Sequence, residues 1–246
     1  MNLGHKKMLL HTRTRVFSRY YYGTSAGRLQ EAVKLFDSMM DRGLQPDVVS
    51  CNILIDGYRK NRLYRDGRMK TANNLFNEMQ TFGLSPDNVT YGTMLDGYCK
   101  NGSIEKAIEL FESVENTGIL ANVQMYNILI QRLFQAGKLE DARKLFHKIP
   151  EKGLVPCVVT YNTMINGLFR SKMLLEANDL IIEMEKRGCV PDAITYDTII
   201  KGFLLGKETD TALQFLREMR ERKFVPSNSV VSLLVSTLST NQLKDL

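Results

Sequence analysis

Apolar residues recur along this chain in two alternating helical registers. Between residues 88 and 122, Tyr91, Met94, Leu95 and Tyr98 fall at helical spacing, and Asn101-Gly102 then breaks the run. Ile104, Ala107, Ile108, Phe111 and Val114 next mark a single apolar face at i, i+3, i+4, i+7 and i+10. Gly118 follows, a residue able to take the left-handed conformation that closes a helix. The pattern predicts a hairpin of two amphipathic helices, A then B, neither of which can bury its apolar face alone.

The hairpin repeats. Ala32, Ala72, Ala107, Ala142, Ala177 and Ala212 are separated by 40, 35, 35, 35 and 35 residues. Pro46, Pro86, Pro156, Pro191 and Pro226 keep the same lattice, as do Tyr91, Tyr126, Tyr161 and Tyr196, and Gly83, Gly118, Gly153 and Gly188. Cutting after each Pro-Xaa pair gives repeats at 48–87, 88–122, 123–157, 158–192 and 193–227. A half repeat holding helix B alone precedes them at 27–47, and a partial repeat follows at 228–246. Stacking is the way such units bury their faces, so the expected fold is all-α, a right-handed α-solenoid of tandem helix-turn-helix repeats with the Ala lattice at the tight A/B contact. The 40-residue spacing places five extra residues, Asn61 to Arg65, at the A/B turn of the first full repeat. Lengthening a loop there costs little closure entropy, and the repeat is expected to form.

The period separates helical-hairpin families. Tetratricopeptide repeats run at about 34 residues with an early Trp, and this chain has no Trp. Val158-Val159-Thr160-Tyr161-Asn162-Thr163-Met164-Ile165-Asn166-Gly167, followed by Ala177 and by Gly188-Cys189-Val190-Pro191-Asp192, closely resembles the pentatricopeptide repeat of plant organelle RNA-binding proteins. Asn88 to Gly102 and Ala193 to Gly202 carry the same pattern, and Val48-Val49-Ser50-Cys51-Asn52 a degenerate form of it. The resemblance covers residues 27 to about 242, and is to the P subclass in the style of the fertility-restorer-like branch.

That resemblance implies binding of single-stranded RNA, each repeat selecting one base through its fifth and last residues while the second residue sandwiches the base. The base-selecting pairs are then Asn52 with Asp87, Gly92 with Asn122, Asn127 with Cys157, Asn162 with Asp192, and Asp197 with Ser227. The sandwiching residues are Val49, Val89, Gln124, Val159 and Ile194. Asn with Asp implies uridine and Asn127 a pyrimidine, while Gly92 and Asp197 depart from the family's combinations, giving a site 5′-U-?-Y-U-?-3′. The chemistry suits the role: an Asn amide offers both a donor and an acceptor to a Watson–Crick edge, and a carboxylate can orient that amide. The implied partner is pyrimidine-biased organellar RNA, not DNA or a membrane, with a homodimer or protein partner as a further expectation through uncapped ends.

Composition limits the alternatives. At 43% hydrophobic and 24% charged the chain is that of an ordinary folded protein, and no apolar run approaches the roughly 20 residues of a membrane span. The net charge of +6 sits at the amino terminus: Lys6, Lys7, Arg13, Arg15, Arg19 and Arg28 precede the first acidic residue, Glu31, leaving 27 basic residues to balance 27 acidic ones. Polyanion binding by the body must therefore come from polarisation of charge between faces. The basic, acid-free segment 1–26 reads as a transit peptide, mitochondrial first and plastid second, with Arg19-Tyr20-Tyr21 resembling a processing site. A disordered tail or an RNA-contacting arm is the alternative. Cys51, Cys99, Cys157 and Cys189 lack metal spacing and read as reduced, partly buried thiols, and His5, His11 and His147 make no site. No cofactor, metal or catalysis is expected.

Plainer roles stand beside the functional ones. Asp47, Asp87 and Asp192 precede apolar helices and suit N-caps; the Tyr lattice and Met79, Met184 and Met219 suit the core. A protein-binding scaffold using the same groove, and a shortened family member with little activity of its own, are the competing functions.

Overall fold

The computed structural model describes residues 26–60, 67–116 and 121–238. Among these residues there are twelve helices and no strand, and each expected A and B helix is present. They are α1 (Ala26–Asp41), α2 (Val48–Lys60), α3 (Gly67–Thr81), α4 (Asn88–Lys100), α5 (Ile104–Asn116), α6 (Val123–Gln135), α7 (Leu139–Glu151), α8 (Val158–Arg170), α9 (Leu174–Lys186), α10 (Ala193–Leu205), α11 (Thr209–Glu221) and α12 (Asn228–Thr237). The leader up to residue 25, the insertion Asn61 to Arg65, Gly118 and the residues from 239 onward lie outside the described part.

Two compact units divide the chain, one ending at Leu129 and the other beginning at Ile130. Within each, an A helix packs on the B helix that follows it and on the A helix of the next repeat: α2 on α3 and α4 in the first, α8 on α9 and α10 in the second. This is the stacking that defines a solenoid of tandem hairpins. The Ala lattice sits at the A/B contact, every member at most 2% exposed. Tyr91, Tyr126, Tyr161 and Tyr196 are buried with it, as are Met79, Met184 and Met219, so both sets belong to the core.

The periodic glycines close the helices. At the end of α3 the Gly83 N–H donates to Gln80 O at 3.0 Å and the Leu84 N–H to Met79 O at 2.8 Å, and Gly83 has φ +69°. This paired arrangement satisfies carbonyls that the last turn leaves free and needs a left-handed residue at its corner. The same bonds recur at Gly43, Gly153 and Gly188, and a lysine takes the left-handed position at Lys223, φ 64°.

A second glycine series lies inside the A helices. Gly57, Gly97, Gly167 and Gly202 occupy one register, and a Cβ built on Gly167 or Gly202 would come within 2.5 Å of three ring carbons of Phe134 or Phe169, respectively. Each ring rests directly on the backbone of the following A helix.

Candidate functional site

The proposed selecting and sandwiching residues lie in the first turns of the A helices or directly before them. Asp87 and Asp192 are N-caps of α4 and α10: each accepts the N–H of the residue three positions on, Thr90 or Thr195, at 2.8 Å, and that threonine hydroxyl accepts the aspartate N–H in return. Asp47 and Ser50 make the same exchange. The carboxylate of Asp87 thus caps α4 and also meets the asparagine at the fifth position of the preceding A helix.

In the first unit the Asn52 Nδ2 donates to Asp87 Oδ1 at 3.1 Å, across 35 residues that include the insertion. The Asn52 Oδ1 in turn accepts the Thr90 hydroxyl at 2.6 Å. In the second unit the Asn162 amide lies near enough to the Asp192 carboxylate to help lower its pKa. Burial acts to raise the pKa of both aspartates, but hydrogen bonds from the threonine N–H and hydroxyl and from the asparagine amide outweigh it and hold both below the usual carboxylate value. Both are acceptors at neutral pH.

The proposed sandwiching positions are exposed: Val49, Val89, Val159 and Ile194 are 46, 58, 60 and 67% accessible. Gln124 is exposed too. In the second unit a groove of about 330 Å³ is lined by Val159 and Ile194, by Asn162 and Asp192, by Phe134, which rests on Gly167, and by Arg170, which contributes positive charge. An aromatic base could lie between two aliphatic walls and meet a donor–acceptor amide at its edge.

The remaining pairs differ. A Cβ on Gly92 would meet nothing within 4 Å, so no side chain fills that register; Asn122 caps α6, its Oδ1 accepting from Met125 N at 3.1 Å. Asn127 carries a buried Oδ1 that no protein group reaches. Cys157 N–H donates to the Thr160 hydroxyl at 3.2 Å, and the Cys157 thiol is exposed, where a partly buried one was expected. It stands at an N-cap, on the rim between repeats, a position the apolar helix faces do not cover. The Asp197 Oδ1 accepts from the Ser227 backbone N at 3.1 Å, so there the fifth residue is fixed by main chain instead of by a side chain. Of the other thiols, Cys51 and Cys99 are buried, and burial, with Asp47 and Glu78 nearby, pushes Cys51 up to about 12. No cluster of three or more metal-ligating side chains occurs among the described residues.

The threonines went unassigned in the sequence. Ser50, Thr90, Thr160 and Thr195 keep the 40- and 35-residue lattice and are at most 2% exposed. A hydroxyl repeated at a buried register was the available signal.

Comparison with known proteins agrees with the repeat fold. The profile described as PPR repeat family matches residues 21–60 and 156–205; profiles of the PPR repeat match 82–115 and 63–84 and 194–224; that of the pentatricopeptide repeat domain matches 109–169. A chloroplastic pentatricopeptide repeat-containing protein of Arabidopsis thaliana is 46% identical over 43 residues, 18% of this chain and 4% of that protein. The crystal structure of the pentatricopeptide repeat protein PPR10 from maize superposes with a TM-score of 0.66 at 27% identity, over 90% of this chain and 31% of that one. PPR10 in complex with an 18-nt psaJ RNA element gives a TM-score of 0.60 at 25% identity, over 91% and 31%. This chain thus spans about a third of PPR10 and a small fraction of the Arabidopsis relative. With profile matches tiling residues 21–224 apart from 61 and 62, on hairpins of the same period, the chain belongs to the pentatricopeptide repeat family.

Proposed function

We propose that this chain binds single-stranded RNA, one base per repeat, and acts on an organellar transcript through processing, stability or translation. The observation that carries this is the groove of the second unit, which Asn162 and Asp192 line together with the exposed Val159 and Ile194. Aliphatic walls accept the face of any base, whereas the amide presents a donor and an acceptor to one edge, which matches uridine. The PPR10 complex with RNA supports the same use of the fold. Asn52 with Asp87, Asn127 with Cys157, and the family's polarity extend the site to 5′-U-?-Y-U-?-3′, a pyrimidine-biased target. The P subclass and the fertility-restorer-like branch belong to this proposal, as does an organellar address, mitochondrion before plastid; the Arabidopsis relative is chloroplastic.

Stacking and edge contacts contribute about 1–3 kcal/mol per base, so five repeats bind modestly and selectivity depends on the few that read clearly. Selection from a random RNA pool by the full chain tests this. The expected outcome is pyrimidine-rich sites, with uridine preference lost at a single position in Asn162→Ala and Asp192→Ala. Unchanged base preference in both variants refutes the assignment, and absence of RNA binding at low salt refutes the function.

A further inference from the structure

Asn52 and Asn162 occupy the same register and each faces the aspartate that ends its own repeat, yet their carbonyl oxygens are in different states. The Asn52 Oδ1 already accepts the Thr90 hydroxyl at 2.6 Å, and the residue is 9% exposed. At Asn162 no protein donor reaches Oδ1. The equivalent hydroxyl, Thr195, gives its single hydrogen to Asp192 Oδ1 at 2.8 Å instead. The Thr90 hydroxyl stands between two acceptors, Asn52 Oδ1 at 2.6 Å and Asp87 Oδ1 at 2.8 Å, and can serve only one at a time.

We infer that uridine selection in this array rests on Asn162, and that Asn52, alike in sequence and register, is suppressed by the hydroxyl of Thr90. The inference rests on the RNA-binding function proposed above. Uracil presents one N–H between two carbonyls. Reading it takes an acceptor for the N–H and a donor for a carbonyl. Asn162 offers both: its Oδ1 is unclaimed and its amide nitrogen carries a hydrogen for a carbonyl. Asn52 has the amide hydrogen, but its acceptor is loaded. A base there must share that oxygen with Thr90 or drive the hydroxyl over to Asp87, and either lowers the gain from the correct base. At Asn162 the incoming N–H supplies a partner to a buried oxygen that lacks one, which is where a hydrogen bond contributes most. Thr90 is therefore a positioning residue for base selection, in addition to capping α4.

Binding of the full chain to short RNAs that differ at one nucleotide tests this. With the preferred site as reference, uridine is replaced by cytidine opposite Asn162 or opposite Asn52. The wild-type chain is expected to lose about tenfold in affinity for the first and less than about threefold for the second, the difference being roughly one hydrogen bond. Thr90→Val should raise the penalty opposite Asn52 toward that opposite Asn162, while Thr90→Ser, which keeps the hydroxyl, should leave it unchanged. Because valine also removes part of a helix cap, Asn52→Ala and Asn162→Ala are compared independently: the first should cost little uridine preference and the second nearly all of it at its position. Equal penalties at the two positions in the wild-type chain overturn the inference and leave RNA binding standing. A wild-type chain that binds no RNA overturns the underlying function and this inference with it.

Discussion

Replacing Gly202 by alanine sets two opposing effects against each other at a position where the structure decides the sign. Alanine is favoured over glycine in a helix interior by about 1 kcal/mol. A Cβ at Gly202, however, would lie 2.3 Å from Cδ2 and Cγ and 2.5 Å from Cδ1 of Phe169. Ordinary carbon contacts are about 3.5–4.0 Å, so the ring would have to retreat by more than about 1 Å. Phe203 holds it edge-on along one side at a centroid distance of 5.0 Å and 75°, so the half-buried ring can give way only toward its open side. Overpacking of a fitted core costs about 1–3 kcal/mol, and the clash here is with a rigid ring, so the expected net loss is about 1–2 kcal/mol. Gly97 supplies the contrast: its Cβ would meet Met69 Sδ at 2.8 Å and Cε at 3.2 Å, the movable end of a thioether. Gly97→Ala should be neutral, or stabilising by up to about 1 kcal/mol. Urea unfolding of the full chain followed by circular dichroism at 222 nm reads both, with the slope checked because stacked repeats can unfold in stages. Phe169→Leu combined with Gly202→Ala should recover part of the loss. A Gly202→Ala chain as stable as wild type, or a Gly97→Ala chain that is the worse of the two, would refute the close-approach argument.

Three further outcomes follow from the same structure. Lys223→Gly should stabilise by about 1 kcal/mol, since Lys223 holds a left-handed φ of 64° that glycine adopts without strain; its unfolding midpoint against wild type is the measurement. Tyr196→Phe should cost about 1 kcal/mol by losing the 2.6 Å bond to Glu218, whereas Tyr161→Phe should cost nothing, because the buried Tyr161 hydroxyl has no partner to lose; thermal melts of the pair compare them directly. The lowered pKa of Asp192 makes its contribution fully present above the unfolded value of about 3.9 and lost as pH falls through the folded value. The melting temperature should therefore fall more steeply between pH 5 and pH 3 in the wild type than in Asp192→Asn, and identical profiles would count against it.

The sequence carried the hairpins, the Ala contact, the Tyr core and the helix-closing glycines because each rests on a residue type repeated at one offset. The Asn–Asp contact was legible for the same reason, down to the direct bond at Asn52. The difference between Asn52 and Asn162 was not. Both follow one pattern, and which acceptor a threonine hydroxyl serves depends on placements of a few tenths of an ångström that no residue letter encodes. The A-helix glycines were also passed over, since a glycine inside a helical run reads as a weak helix former unless the ring pressing on it from another repeat is seen. The exposure of Cys157 escaped for a related reason: a thiol is usually buried, and at this offset the other repeats carry polar residues.

The bond between Asn52 and Asp87 spans 35 residues, whereas the equivalent asparagine and aspartate of the second unit are 30 apart in the chain. Chain length and spatial register are thus uncoupled at the A/B turn: five residues enter the sequence there without breaking the Asn52–Asp87 contact. That turn is consequently a port. A tag, a loop or a small domain grafted at the corresponding turn of another repeat, such as after Arg170, should leave the asparagine–aspartate contact in place, and an alignment that counts residues from repeat to repeat will misassign the register wherever such a graft has occurred.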